Sequence, residues 1–491
     1  MSKKNILQEI VERRQADLNR LGASLGFEIP LKRTRQVVPF LDSDSCIFEI
    51  KRASPSKGDI APDLIPEVLA KTYANAGAKA ISVLTESHFF KGSLNDLMAV
   101  SNTVEHCSIL RKDFILQEDE VEVSYLCGAD AVLLIARILD VDLLVTLAKK
   151  IHSYSMTPFL EVRSVEDFEK LKRVLQEVSV VAGVNSRDLK SFKMDALIPA
   201  ALQEKLPAQA VFESGIHSPE DAAFAKMLGF KGILVGESVA KSPDKAQPIV
   251  KAFENASANK LGDFWKKIAQ RRELKKQENK ACLVKICGIT RVEDALLAAQ
   301  LGADLLGFVF AESPRKTDLK NLSLIQEALD NKGLKVLRVG VVTDLESSLG
   351  KEALLGIHQG LLDAIQVHDS LLPSLLDANV CPRYGAIRLG SEKDIENLRD
   401  YLGKGEPRVL IDAKSEKALG GTGDSIPVEL VLEAKKHAPL WIAGGVSPQN
   451  IRSIIRDFNP ELVDLSSSIE SENGVKSKEK LELFFKEFNN E

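Results

Sequence analysis

Residues 46–85, CIFEIKRASPSKGDIAPDLIPEVLAKTYANAGAKAISVLT, hold the unit on which the fold reading turns. CIFEIKR (46–52) and AKAISVLT (78–85) are short apolar runs, of the kind found in strands covered on both faces. Between them LIPEVLAKTYANAG carries helical periodicity. Strand, helix, strand is the repeating unit of a parallel sheet. The pattern continues through CSILRKDF (107–114), ADAVLLIA (129–136), TPFLEV (157–162), VVAGVNSR (180–187), QAVFESGI (209–216) and GILVGESV (232–239), eight strand runs in all. It then restarts with CLVKICG (282–288), ADLLGFVF (303–310), KVLRVGVV (335–342), LDAIQVHD (362–369), YGAIRL (384–389), PRVLIDA (407–413), PLWIAGGV (439–446) and LVDLSSSI (462–469), eight again. Eight units in each half imply α/β architecture with two tandem (β/α)8 TIM barrels; an open doubly wound sheet shares the local signal.

The 491 residues fit this reading, since one such barrel takes about 250. Residues 1–45 precede the first strand run, and ILQEIVERRQADLNRL reads as an extra amphipathic helix with Ile6, Ile10 and Leu21 on one side. The expected domains are 1–258 and 282–491. Segment 259–281, NKLGDFWKKIAQRRELKKQENKA, has many Lys and Arg and few aliphatic residues, and reads as a solvated, charged helical linker.

Composition removes several function classes. Hydrophobic residues are 44% and charged residues 27%, as in globular domains with a sizeable core. A net charge of −5 gives no basic excess for nucleic acid. No apolar run approaches the roughly 18–20 residues of a membrane span, and the first residues, MSKKNILQEIVERRQ, lack a secretory apolar core. The six cysteines form no CxxC pair and the histidines no HxxxH pair. A reduced, cytoplasmic enzyme without a metal site is expected.

Catalytic groups in this fold sit at the C-terminal ends of the strands. In the first half those ends carry Glu49, Lys51, Lys112, Glu161, Asn185, Arg187, Glu213, Ser214, Gly215, Gly236, Glu237 and Ser238. The SPSKG loop adds Ser54 and Ser56 and is suited to closing over a ligand. Lysines among carboxylates suit proton transfer, because burial and close charges move their pKa values. An ion-pair network that merely caps the barrel would use the same residues.

EIKRASPSKG, LRKDF, FLEV, GVNSRDL, ESGI and ILVGES, in that order, resemble indole-3-glycerol-phosphate synthase over about residues 1–255. The resemblance implies cyclisation and decarboxylation of 1-(2-carboxyphenylamino)-1-deoxyribulose 5-phosphate, with no metal or organic cofactor. It implies that Lys112 is the general acid and that Lys51 assists beside the anthranilate carboxylate. Glu161 would be the base of the final dehydration, with Glu49 positioning the lysines. Asn185, Arg187 and Ser214 would bind substrate, and Phe114 would pack the aromatic ring. Ser54, Ser56, Gly215, Gly236 and the backbone N–H of Glu237 would surround the phosphate, with the Glu237 carboxylate turned outward.

The second half has a different set of strand ends: Cys287, Gln366, His368, Arg388 and Asp412, with Arg315 in the SPR after the second strand. Gly444 and Gly445 face Ser467 and Ser468 across a potential backbone-lined anion site. A cysteine in an apolar strand is most often core packing. Here Asp412 is available on the same rim for a base-and-acid pair, and His368 is a rival base. KICGIT, SPR, QVHD, IRL, LIDA, GGTG, AGGV and VDLSSSIE resemble phosphoribosylanthranilate isomerase over about 282–491. The resemblance implies an Amadori rearrangement of N-(5-phosphoribosyl)anthranilate, with Cys287 as base, Asp412 as acid and Arg315 on the anthranilate carboxylate. DSIPVEL after GGTG, Ser468 and Asp369 depart from that family's pattern. The two implied reactions are consecutive steps of tryptophan biosynthesis. The expected partners are small phosphorylated anthranilate-sugar substrates, with no nucleic acid or membrane, and the expected chain is monomeric. Two other readings stay open: a related phosphosugar isomerase, and a second half that serves only as a scaffold.

Overall fold

The computed structural model describes residues 6–187, 194–368, 372–377, 380–413 and 428–489. It divides between Ala258 and Asn259 into two compact units. Among the described residues, eight parallel strands close each unit into a barrel, with consecutive strands adjacent. The first barrel comprises β1 (Ser45–Ile50), β2 (Ala80–Leu84), β3 (Ser108–Lys112), β4 (Ala131–Ile135), β5 (Thr157–Val162), β6 (Val181–Asn185), β7 (Ala210–Glu213) and β8 (Gly232–Val235). The second comprises β9 (Leu283–Cys287), β10 (Leu305–Val309), β11 (Leu337–Val342), β12 (Ala364–His368), β13 (Arg383–Leu389), β14 (Val409–Ala413), β15 (Trp441–Ile442) and β16 (Leu462–Leu465). Closure, which local periodicity left open, is settled by β1 pairing with both β2 and β8, and β9 with both β10 and β16.

The strands read as continuous apolar runs because both faces are covered. One face packs inside the barrel: Ile47, Ala80, Leu110, Leu133, Phe159, Val181, Val211 and Leu234 share one cluster in the first unit. Burial then fails at the C-terminal tip. The last residues of β3, β6, β9 and β12 (Lys112, Asn185, Cys287 and His368) are each partly exposed after four buried positions. Pleat alternation and register thus carry chemical side chains to the mouth while the layers below stay closed.

Helix Ile6–Leu21 buries Leu7, Ile10, Arg14 and Leu18, whereas Ile6 and Leu21 are half-buried. The buried stripe is therefore rotated from the expected one and contains a charge. Arg14 pairs with Asp113 at 3.1 Å and Glu120 at 2.5 Å, and Arg111 reaches Asp113 at 3.0 Å. Paired charges of this kind survive burial because each is hydrogen-bonded to an opposite charge.

Segment 259–281 differs from the solvated linker expected of it. Helix Lys260–Gln277 belongs to the second unit and buries Phe264, Trp265 and Ile268. Phe264 stacks on Tyr384 at 6.1 Å, and Trp265 lies 5.7 Å from Trp441. Its cations reach Asp304 (3.0 Å), Asp363 (2.9 Å) and Glu461 (2.7 Å). Each of these carboxylates immediately precedes a strand, so the helix covers the N-terminal end of the second barrel, opposite its mouth. The long cationic stems pack on apolar surface while their heads find carboxylates.

Candidate active sites

In the first barrel one pocket gathers every predicted site residue of that half: Glu49, Lys51, Ser54, Ser56, Lys112, Phe114, Glu161, Asn185, Arg187, Ser214, Gly215, Gly236 and Glu237. At its centre Lys112 Nζ contacts Glu213 Oε2 and lies 3.4 Å from Glu161 Oε2. Burial works against the Lys112 cation, but Glu213, Glu161 and Glu49 outweigh it and hold its pKa above the ordinary lysine value. Burial pushes the Glu213 carboxyl up to about 8, against the pull of Lys112. Lys51 Nζ stands 3.3 Å from Glu49 Oε1, and Ser82 Oγ donates to the other Glu49 oxygen at 3.4 Å.

Two glycines make room for these carboxylates. A Cβ on Gly183 would lie 2.1 Å from Glu213 Oε1, and one on Gly236 would lie 2.7 Å from Glu49 Oε1. After β7 the chain turns through Ser214 (φ 67°) and Gly215 (φ 79°). A left-handed serine beside reactive groups is backbone strain held by its surroundings; Ser186 Oγ donates to its carbonyl at 3.0 Å. Arg187 donates to Ser56 Oγ at 3.0 Å, which ties the SPSKG loop to the end of β6. The Glu237 carboxylate is bound by Lys241 at 2.8 Å, within its own short helix.

Sequence reasoning placed Glu213 at a strand end without a role, and it missed Phe90. The Phe90 ring lines the pocket, with Lys51 Nζ 5.3 Å from its centroid and Phe114 at 6.3 Å. The only available signal was an aromatic pair in the loop after β2. Ile6, Leu7 and Ile10 of the N-terminal helix also line the pocket, so this helix roofs the mouth, anchored by Arg14 to the residue following Lys112.

In the second barrel the inward-facing register runs through Lys285 and Cys287 on β9 and across to Asp464 on β16. Lys285 is fully buried, with Nζ 2.6 Å from both Asp464 Oδ2 and Gln366 Oε1. Tyr384 OH donates to the same Gln366 oxygen at 2.8 Å. With its oxygen taken twice, Gln366 turns its amide nitrogen to His368 Nε2, 2.6 Å away. The imidazole nitrogen is therefore the acceptor of that bond.

Cys287 is partly exposed at the mouth. Burial pushes its thiol up, while Lys285 and Lys476 pull it down. A Cβ on Gly307 would lie 2.6 Å from Cys287 Sγ, so this glycine gives the thiol its space. Arg388 and Asp412 are register partners on β13 and β14. Arg315 makes a two-pronged ion pair with Glu470, Nε at 2.9 Å and Nη2 at 2.7 Å. Gly444 (φ 74°) and Gly445 (φ 71°) turn the chain after β15. Ser468 Oγ donates to Val446 O at 2.6 Å, joining the two sides of the expected anion site. GGTGD (420–424), the DSIP of DSIPVEL (424–427) and Asp369 lie outside the described residues, while its VEL opens the helix Val428–His437.

Residues 4–252 match the family model for indole-3-glycerol phosphate synthase, and residues 284–487 match that for N-(5'phosphoribosyl)anthranilate (PRA) isomerase. The chain belongs to the indole-3-glycerol phosphate synthase family, fused to a phosphoribosylanthranilate isomerase domain. It is 35% identical to an indole-3-glycerol phosphate synthase of Rippkaea orientalis, over 51% of this chain and 90% of that protein. It is 32% identical to a multifunctional tryptophan biosynthesis protein of Schizosaccharomyces pombe over 92% of this chain, and spans 60% of that protein's length. It is 29% identical to a tryptophan biosynthesis protein of Phytophthora nicotianae, over 98% of this chain and 96% of that one. The first barrel is thus the synthase domain and the second the isomerase domain. No helix among the described residues is long and apolar enough to cross a membrane.

Proposed function

We propose that the isomerase barrel converts N-(5-phosphoribosyl)anthranilate to 1-(2-carboxyphenylamino)-1-deoxyribulose 5-phosphate, and that the synthase barrel converts this product to indole-3-glycerol phosphate, CO2 and water. The observation that carries the synthase reading is one lysine, Lys112, held between Glu161 and Glu213 in a pocket that also contains Lys51 and Glu49. Lys112 keeps its proton in the free enzyme because carboxylates surround it. It gives that proton to the departing ribulose oxygen as the new carbon–carbon bond forms. Loss of the anthranilate carboxylate as CO2 follows. Glu161 takes the proton released in the final dehydration, in which that same oxygen leaves as the one molecule of water. Lys51, above Phe90, holds the anthranilate carboxylate until it leaves.

In the isomerase barrel Asp412 protonates the ring oxygen of the ribose and opens it to an imine. Cys287, as thiolate, removes the C2 proton, and the enolamine tautomerises to the ketose. Cys287 is favoured over His368 because the His368 Nε2 lone pair is engaged by the Gln366 amide. Arg315 holds the anthranilate carboxylate, with Arg388 beside Asp412 on the rim. The turn at Gly444–Gly445 and residues Ser467 and Ser468 receive the phosphate. Six cysteines with no disulfide among the described residues agree with a reducing, cytoplasmic setting.

The test is an assay of the intact protein with freshly made phosphoribosylanthranilate, without added metal. Loss of anthranilate-type fluorescence followed by indole-3-glycerol phosphate is the expected result. Conversion of separately supplied ketose with unchanged fluorescence would overturn the isomerase half. Fluorescence loss with no indole product would overturn the synthase half.

A further inference from the structure

Beyond β16 the isomerase barrel carries a small hairpin, Glu470–Glu472 paired with Val475–Lys476. Two of its three charged side chains point inward and are buried, with relative exposures of 4% for Glu470 and 0% for Lys476, while Glu472 is exposed. Lys476 Nζ has three acceptors: Cys287 O at 2.6 Å, Ser466 O at 3.2 Å and Glu470 Oε1 at 2.8 Å. An ammonium has three protons, so this set uses them all. Glu470 in turn grips Arg315 through Nε and Nη2, leaving Nη1 outside that grip. The Arg315 stem crosses Gly288, the residue after Cys287; a Cβ there would lie 2.7 Å from Arg315 Cδ.

The hairpin is tied down independently of these contacts. Thr290 Oγ1 donates to Gly474 O at 2.5 Å, Lys476 N–H donates to Asp294 Oδ2 at 3.0 Å, and Lys480 Nζ donates to Glu470 O at 2.6 Å. One buried ion pair on a fixed hairpin therefore joins the backbone of Cys287, at the tip of β9, to the guanidinium of Arg315, on the loop after β10.

We infer that Glu470 and Lys476 are positioning residues of the isomerase: Glu470 aims Arg315 at the substrate's anthranilate carboxylate, and Lys476 fixes Cys287 against the substrate C2. The inference rests on the roles proposed above for Cys287 and Arg315. A two-pronged grip leaves the guanidinium one direction for a carboxylate, which binding through Nη1 can use without ordering the side chain afresh. The thiol is also faced by Lys285 on its own strand, Asp464 on β16, Tyr384 on β13 and Arg315 on its loop. Removing Lys476 takes one cation from this set, and neutralising Glu470 leaves one more cation uncompensated.

The experiment uses the full chain with Glu470→Gln, Glu470→Asp and Lys476→Met, measuring isomerase kcat and KM separately across pH. Glu470→Gln should raise KM for phosphoribosylanthranilate by about ten-fold or more with kcat held within a few fold. Its acid limb should move to lower pH. Glu470→Asp should recover part of the KM. Lys476→Met should lower kcat, leave KM within about two-fold, and move the acid limb to higher pH, because a cation beside the thiol has gone. Wild-type KM in Glu470→Gln, or equal losses in both variants with unmoved pH limbs, would overturn the inference. An unchanged circular-dichroism spectrum and thermal transition of the same samples report that the second unit has folded, and synthase turnover reports the first. If the unsubstituted protein turns over phosphoribosylanthranilate and Cys287→Ala does not, the functional reading stands whatever these variants do.

Discussion

The two barrels share one strand plan and strand-borne proton-transfer residues, and differ in how the charges around them are mounted. In the synthase barrel Glu49, Lys112, Glu161, Asn185 and Glu213 all stand on strands. The mouth is a dense set of opposite charges under the N-terminal helix. In the isomerase barrel the fully buried lysine, Lys285, lies one inward position below the mouth and pairs with Asp464. The mouth itself holds a thiol, with Arg315 on a loop and Glu470 on the hairpin beyond β16. A strand-borne site is rigid because the sheet sets its spacing. A loop-borne group needs a dedicated clamp, which the 470–476 hairpin supplies. Both barrels use the same device to admit a reactive side chain: a glycine on the neighbouring strand, Gly183 for Glu213 and Gly307 for Cys287.

This contrast can be broken at graded cost. The largest effect is expected from Glu161→Gln, which keeps shape and removes the base; synthase kcat should fall by about 10²–10⁴-fold. A loss of only a few fold would make Glu161 a positioning residue. Next come Gly183→Ala and Gly307→Ala. The first forces a methyl against Glu213 and the Phe159 ring, the second against Cys287. Each should cost its own reaction roughly 10–100-fold through misplacement and spare the other. Comparable losses in both reactions would show that the glycines serve folding. The smallest effect belongs to Glu237→Gln. Its carboxylate is turned to Lys241, so synthase KM should stay within about two-fold. A large fall in KM would mean that this charge had been repelling the phosphate.

The strand runs and the strand-end residues of the synthase site were legible because buried parallel strands are continuous and their polar tips are not. Barrel closure was implied by the count of eight units in each half and by no local pattern, since it depends on pairing of the first strand with the last. Three further features lay beyond reach for identifiable reasons. The helix 260–277 was read by its charge, yet Phe264 and Trp265 decide its burial, and Lys267 and Arg272 find carboxylates that only the barrel brings near. Arg14 carries no local sign of burial, and Asp113 and Glu120, about a hundred residues away in sequence, surround it. The role of Glu470 depends on Arg315, 155 positions away. In each case an ionic residue is buried by a partner distant in sequence, and no local pattern encodes that partner. The Cys287 and Asp412 pair was named from resemblance; spacing alone had left His368 as a rival.

The central claim is that one chain carries two independent sites, each with its own proton-transfer residue. It is tested most directly by assaying Lys112→Ala and Cys287→Ala for both reactions, each with its own substrate supplied. Lys112→Ala should lose indole-3-glycerol phosphate formation by about 10²–10⁴-fold and isomerise normally, and Cys287→Ala should show the reverse. Loss of both activities in either variant, or normal isomerisation by Cys287→Ala, would contradict it.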